Sequence, residues 1–253
     1  MRVLISGAAT GIGAAVVQKL KSRGDEIVAV DIAEPRGVDQ WIKIDMSDLA
    51  SISNAVSELS GEFDCLINNA GIPPRDGMAE KVLAVNFTGM VTFTNAVLPH
   101  IKSGGSLVTT ASRAGQFWRD NMDQVKALMS TDRDSLAAFV ADQNMDATRA
   151  YNLSKEAAIV WSMAQTEALL EKGLRINSVS PAAVSTGILD DFKTAFGDKV
   201  AANIARVGRA GLPEEVADVI VFLASPESNW IKGNDITIDG GMSALMTKDM
   251  LGL

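Results

Sequence analysis

The sequence predicts a single α/β domain. Short β-rich apolar runs alternate with helix-patterned stretches from one end to the other, and 253 residues are enough to bury one large core. No linker, repeat or low-complexity tract interrupts the alternation. The chain is 47% hydrophobic and carries a net charge of −8 with no basic run, so neither nucleic acid nor an anionic membrane surface is an expected partner. Cys65 is the single cysteine, which excludes an internal disulfide and suits a reducing, cytoplasmic setting. His100 is the single histidine, so a metal site of ordinary composition has almost no ligands to draw on. A serine–histidine hydrolase would need that same residue, at what reads as a helix end. The first strand is expected from Val3, leaving no room for a signal peptide, and no apolar run reads as long enough to span a membrane.

Val3-Leu4-Ile5-Ser6 is a β-rich run that stops at Gly7. A helix then opens through Ala8-Ala9-Thr10-Gly11-Ile12-Gly13 and continues to about Arg23. Strand, glycine turn and helix in that order let a backbone turn sharply and approach a pyrophosphate at a helix N-terminus. The second strand, Glu26 to Asp31, ends in an acid 24 residues beyond Gly7. A carboxylate there accepts hydrogen bonds from an adenosine ribose and repels a 2′-phosphate, so NAD is expected rather than NADP. Arg36 is the nearby residue that argues the other way.

Ile42 to Met46 reads as strand three, and Ser47-Asp48 as a cap for a helix from Leu49 to Leu59. Asp64-Cys65-Leu66-Ile67 is strand four, running into Asn68-Asn69-Ala70-Gly71 at the edge where open parallel sheets bind ligands. A long helix from about Glu80 to Leu98 carries Asn86 in its middle, a costly residue if buried without partners. Ser106 to Ser112 is strand five, ending in a hydroxyl. The segment 113–148 then breaks the rhythm. Spacings at Met122, Val125, Leu128 and Met129, and at Leu136, Phe139 and Val140, predict two short helices within it.

A helix-patterned run from Ala150 to about Lys172 follows, headed by Tyr151-Asn152-Leu153-Ser154-Lys155. Tyr151 is the only tyrosine, and Lys155 lies four positions on, so both side chains leave one helix face. An ammonium beside a phenol favours phenolate and lowers a pKa that is otherwise ~10. The pair is a candidate general acid/base for an alcohol oxygen. Arg175 to Pro181 is strand six, and a loop with short helices at 183–206 forms a candidate lid. Pro213 to Ala224 is a helix whose Pro-Glu-Glu start suits its dipole. Asp235 to Asp239 is strand seven; Gly240-Gly241 and a Met/Leu-bearing tail, Met242 to Leu253, complete the chain.

Gly7-x3-Gly11-Ile12-Gly13, Asp45, Asn68-Asn69-Ala70-Gly71, Asn86, Ser112, Tyr151-x3-Lys155, Pro181 and Asp239-Gly240-Gly241 together resemble the short-chain dehydrogenase/reductase family, over essentially the whole chain. The resemblance implies a Rossmann-like, doubly wound seven-stranded parallel sheet carrying a nicotinamide dinucleotide. It implies that Tyr151 is the acid/base, that Lys155 lowers its pKa and holds the nicotinamide ribose, that Ser112 steadies the substrate oxygen and that Asn86 anchors a water relay. For the cofactor it implies Gly7, Thr10, Gly11, Ile12 and Gly13 in the turn, and Asp31, Asp45 and Met46 at the ribose and adenine. Asn69, Ala70 and Gly71 would line the strand-four edge, with Pro181, Val184 and Thr186 at the pyrophosphate and carboxamide.

Two departures stand out. Ala182-Ala183 follow Pro181 where the family usually has glycine, and Tyr151 lies 39 positions beyond Ser112, where the family spacing is roughly a third of that. The insertion resembles a bacterial subgroup of 3α-hydroxysteroid dehydrogenase/carbonyl reductases and coniferyl-alcohol dehydrogenases. The expected activity is NAD(H)-dependent interconversion of an alcohol and a carbonyl on an apolar, ring-bearing small molecule. Phe117, Trp118, Ile188, Leu189 and Phe192 are expected to border its pocket. A homodimer or homotetramer is expected, with the insertion remodelling or blocking one contact. The alternatives are an NADP-dependent carbonyl reductase and a catalytically idle NAD-binding regulator or sensor.

Overall fold

The β-rich runs become one seven-stranded, all-parallel sheet in the computed structural model, which describes residues 1–253. The strands are β1 (Arg2–Ser6), β2 (Glu26–Asp31), β3 (Gln40–Lys43), β4 (Phe63–Asn68), β5 (Ile101–Thr110), β6 (Arg175–Pro181) and β7 (Asp235–Ile238). They lie in the order β3-β2-β1-β4-β5-β6-β7, so the winding reverses between β1 and β4. That reversal opens a crevice at the C-terminal ends of those two strands. In register, Ser6 stands opposite Val30 on one side and Asn68 on the other, which brings three strand ends to one edge.

The helices are α1 (Gly11–Ser22), α2 (Leu49–Ser57), α3 (Ala79–Leu83), α4 (Met90–Val97), α5 (Met122–Met129), α6 (Leu136–Asp142), α7 (Ala147–Ala164), α8 (Thr166–Glu171), α9 (Leu189–Phe196), α10 (Asp198–Val207), α11 (Pro213–Ala224) and α12 (Met242–Leu251). Alternate side chains of β1 serve two cores, Val3 and Ile5 with α1 and α11, Leu4 with α2, α3, α4 and α7. β6 is buried at all seven positions yet reads Arg-Ile-Asn-Ser-Val-Ser-Pro, unlike the apolar run usual for such a strand. Its polar side chains are tolerated because they are bonded: Asn177 donates to the Ile231 carbonyl at 2.8 Å, and Ser178 and Ser180 donate to Asp235 Oδ1 at 2.6 and 2.9 Å.

Several boundaries differ from the sequence expectation. β3 ends at Lys43, not Met46, because Asp45 accepts the Ser47 N–H and O–H and closes a turn. β5 begins at Ile101 and stops at Thr110, so Ser112 lies just past its end. The expected tail is mostly helix α12, flanked by Gly241 and Gly252 in left-handed conformations. The stretch Ala79–His100, 22 residues, is long and apolar enough to cross a bilayer by composition, a correction to the expectation that no run is. Its Val82, Leu83, Phe87, Phe93 and Val97 pack into the larger core, which accounts for its apolarity. The two short helices of the insertion are present as α5 and α6, and their Val125, Leu128 and Leu136 are fully buried.

Candidate active site

The turn after β1 has no room for a Cβ at Gly7 or Gly13. Gly7 sits at φ +72°, and a Cβ there would lie 2.6 Å from the Ala70 backbone; one on Gly13 would overlap the Gly7 carbonyl oxygen. Asn69 Nδ2 donates to the Gly7 carbonyl at 2.7 Å, Thr110 donates to Asn69 Oδ1 at 3.1 Å, and Ser6 Oγ accepts the Asn69 and Ala70 N–H groups. Strands β1, β4 and β5 are thereby tied at their ends. Helix α1 starts at this turn with no acid in its first turn and no side-chain cap from Thr10, which leaves its amides open to an anion. Asp31 closes the other flank, accepting N–H groups from Ala9 at 2.8 Å and Ala33 at 3.1 Å. The Asp45 carboxyl is held below the usual carboxylate range, chiefly by the Ser47 hydroxyl.

These groups open on a cavity of about 1280 Å³, larger than the roughly 300–1,000 Å³ of ordinary small-ligand pockets. All the residues expected at the cofactor line it except Gly13, which lies behind the turn.

At the same edge, Ser112 caps a short turn, with its Oγ accepting the Ala114 N–H at 3.1 Å and donating to the Pro181 carbonyl at 3.4 Å. Its hydroxyl stands near enough to the Tyr151 phenol to favour the phenolate. Helix α7 begins at Ala147, capped by Asp146, whose carboxylate accepts the Arg149 N–H, so it starts ahead of the expected Ala150. Tyr151 and Lys155 are each 6% exposed. Lys155 Nζ lies 5.7 Å from the Tyr151 ring centroid and donates to the Thr110 carbonyl at 3.0 Å. Asn86 occupies a π-helical turn between α3 and α4; its Oδ1 accepts the Ile72 N–H at 2.8 Å and its Nδ2 donates to the Ile72 carbonyl at 3.0 Å. It stands one step behind the cavity wall. A Cβ on Gly71 would sit 3.2 Å from Asn86 Oδ1 and 3.7 Å from Lys155 Nζ, so the two side chains converge on that glycine.

The titration behaviour corrects the sequence expectation. Burial pushes the Tyr151 phenol up to about 12, opposed by the Ser112 hydrogen bond, and drives the Lys155 ammonium down to about 8. Low dielectric penalises the charged form of both groups, and burial is the largest influence on each.

The insertion holds this constellation from behind. Glu156, 1% exposed, takes both arms of Arg149 at 3.0 and 2.7 Å and the Asn121 amide at 2.8 Å. Gly115 approaches so closely that a Cβ would lie 2.8 Å from the Lys155 carbonyl, which sets the distance between the Ser112 turn and α7. Arg113 pairs with Asp239 at 3.4 Å, tying the end of β7 to the same turn.

Of the apolar residues expected at the pocket, Phe117, Ile188 and Phe192 line the cavity; Trp118 and Leu189 do not. Trp118 instead lines a separate, smaller pocket, where the Arg119 guanidinium covers its ring at 4.0 Å. Leu189, at the first position of α9, is half-buried outside the lining. The Phe192 and Phe196 rings stand edge-on to Tyr151, with centroids at 5.2 and 6.3 Å. Phe196, Val200 and Ile204 also line the wall and are absent from the sequence-based expectation. Their spacing of four from Phe192 was the available signal, broken up by Gly197.

Comparison with known proteins agrees with this geometry. Residues 1–123 match a family model described as short chain dehydrogenase, and residues 124–243 match one described as enoyl-(acyl carrier protein) reductase. The chain is 35% identical to coniferyl-alcohol dehydrogenase of Pseudomonas sp. strain HR199, covering 96% of each chain. It is 30% identical to 3-alpha-hydroxysteroid dehydrogenase/carbonyl reductase of Comamonas testosteroni, covering 96% of this chain and 97% of the other. Among solved structures, the 3-alpha-hydroxysteroid dehydrogenase of Pseudomonas sp. B-0831 in complex with NADH superposes with a TM-score of 0.87 at 27% identity, over 97% and 98% of the two chains. With its reversing parallel sheet, its glycine turn and its Ser112–Tyr151–Lys155 edge, the chain belongs to the short-chain dehydrogenase/reductase family of oxidoreductases.

Proposed function

We propose that the protein interconverts an alcohol and a carbonyl on an apolar, ring-bearing small molecule, using NAD⁺ or NADH. One observation carries this reading: Ser112, Tyr151 and Lys155 meet at the sheet edge beside a tight glycine turn and an uncapped helix N-terminus. The cradle fits a dinucleotide, since Gly7 and Gly13 leave no space for Cβ atoms and the first amides of α1 are open to a phosphate. When bound, the nicotinamide supplies the hydride acceptor or donor.

This chain's residues supply the rest. Tyr151 takes the hydroxyl proton during oxidation and returns it during reduction. Burial opposes its phenolate, and the Ser112 hydrogen bond favours it. With substrate bound, Ser112 turns its single O–H from the Pro181 carbonyl to the oxygen on which charge develops, a contribution of roughly 3 kcal/mol for a positioned donor. Lys155 would hold the nicotinamide ribose, and its charge, when present, favours phenolate. Asn86 fixes the Ile72 backbone and would anchor a water relay to Lys155. Asp31, at the adenosine end, favours NAD over NADP by repelling a 2′-phosphate. Phe117, Phe192 and Phe196 give the substrate end an aromatic wall, which favours a ring over a polyol. Two similar relatives are named for coniferyl alcohol and a 3-alpha-hydroxysteroid, both ring-bearing alcohols. A cytoplasmic homodimer or homotetramer belongs to the same proposal and rests on the family resemblance alone.

The test is Tyr151→Phe beside the wild type, with NAD⁺ and NADP⁺ in parallel, on a panel of aryl-allylic alcohols, hydroxysteroids and polyols. The expected loss in kcat/KM is about 10²–10⁴-fold, with NADH binding retained. Activity within about tenfold of wild type rejects the role of Tyr151. Preference for NADP⁺ rejects the role of Asp31, and faster turnover of polyols rejects the aromatic wall.

A further inference from the structure

We infer that Arg75 is a positioning residue, a latch that holds helix α9 over the Tyr151 end of the cavity and so sets where Phe192 stands. Naming that end the substrate end rests on the proposed function; the latch itself rests on geometry.

Helix α9 has little else to hold it. None of its residues is fully buried, and no side chain caps its N-terminus. Gly187 precedes it and Gly197, at φ +60°, follows it; a Cβ on either would meet nothing within 4 Å. Segments with so few buried contacts open locally at low free energy. The Asp190–Lys193 ion pair is internal to the helix and fastens it to nothing. What fastens α9 is the packing of Phe192 and Phe196 at Tyr151, and one ion pair across 116 residues of sequence. Arg75 Nε and Nη2 donate to the two oxygens of Asp191 at 2.9 and 3.0 Å, a fork on a fork.

Arg75 is a fixed post. Pro73 and Pro74 before it are buried, and each proline ring locks φ. Ile72 before them is gripped through both its backbone groups by the Asn86 amide. A stiff strut therefore runs from the π-helical turn of Asn86 to Asp191, whose next residue is Phe192. Releasing the strut lets α9 swing on its two glycines and carries the Phe192 and Phe196 rings off Tyr151. Ring-bearing substrate then loses a wall, while product leaves at least as fast.

The experiment uses the full chain carrying Arg75→Gln, which leaves the sequence of α9 intact. Trypsin cleavage at Lys193 reports on α9 without any turnover, and cleavage at Lys199 reports on the start of α10 just beyond Gly197. The expected result is cleavage about two- to fivefold faster than wild type at low salt, converging on the wild-type rate at high salt as the pair is screened. With an aryl alcohol that turns over, KM rises about two- to fivefold and kcat does not fall. Unchanged cleavage in Arg75→Gln, or a fall in kcat at constant KM, overturns the latch. Faster cleavage in a protein whose wild type turns over no alcohol keeps the latch and overturns only the proposed function.

Discussion

Replacing Lys155 by Met should make the protein more stable at neutral pH while abolishing its turnover. Burial holds the Lys155 ammonium down at about 8, against an ordinary 10.5. At about 1.4 kcal/mol per tenfold change, that displacement stands for about 3 kcal/mol acting against folding. The pH window follows from the direction. Below pH 8 both folded and unfolded chains carry the proton, and the cost is present in full. Between about 8 and 10.5 the unfolded chain keeps a proton that the folded one releases, so wild-type stability rises with pH across that interval. Methionine approximates the length of lysine without the charge, but it forfeits the hydrogen bond to the Thr110 carbonyl, worth about 1 kcal/mol. The net expectation is a gain of about 2 kcal/mol at pH 7, or roughly 4–8 °C in Tm for a chain of this size. The gain should vanish towards pH 10.5. Urea unfolding of the cofactor-free protein, followed by the fluorescence of its four tryptophans at pH 7 and pH 10, measures both. A variant less stable than wild type at pH 7, or a difference that ignores pH, refutes the reasoning.

Two further outcomes follow from close approaches and buried charge. Gly13→Ala places a methyl group on the Gly7 carbonyl and 2.7 Å from Asn69 Nδ2; α1 must back away, and NADH affinity should drop at least about tenfold in a fluorescence titration of protein with an unchanged circular dichroism spectrum. Undiminished affinity would show that the turn does not carry the dinucleotide. Arg149→Met strips the buried Glu156 carboxylate of both guanidinium bonds and leaves it the Asn121 amide alone. Because Arg149 is 27% exposed, the expected loss sits at the lower end of the range for broken buried pairs, about 3 kcal/mol. Calorimetry should show Tm lower by roughly 6–12 °C, and a drop under about 2 °C would mean that water already serves the carboxylate.

Much of the site is legible in one dimension because its parts are local. Gly7, Gly11 and Gly13 fall where a strand turns into a helix; the Ala70 and Gly7 backbones occupy the space of a Cβ on Gly7 and Gly13, and Gly11 adopts φ +57°. Asn86 is an amide in an apolar helix, and that oddity is visible without coordinates. That both ends of its amide are spent on Ile72, in a π-helical turn, is visible only in the fold. Phe117 and Trp118 show the limit of pattern reading. They are neighbours of similar character, and the turn sends one into the cavity and the other into a separate, smaller pocket.

The spacing of Tyr151 and Lys155 by itself determines that phenol and ammonium share a helix face, since one helical turn is a local property of the backbone. Their charge states are not local. Phe192 and Phe196, some forty residues on, and the end of β5, some forty residues back, shut the pair away from water, and burial then moves the phenol up and the ammonium down. Only the tertiary structure decides that, because desolvation depends on everything that surrounds a group and not on what adjoins it in the chain.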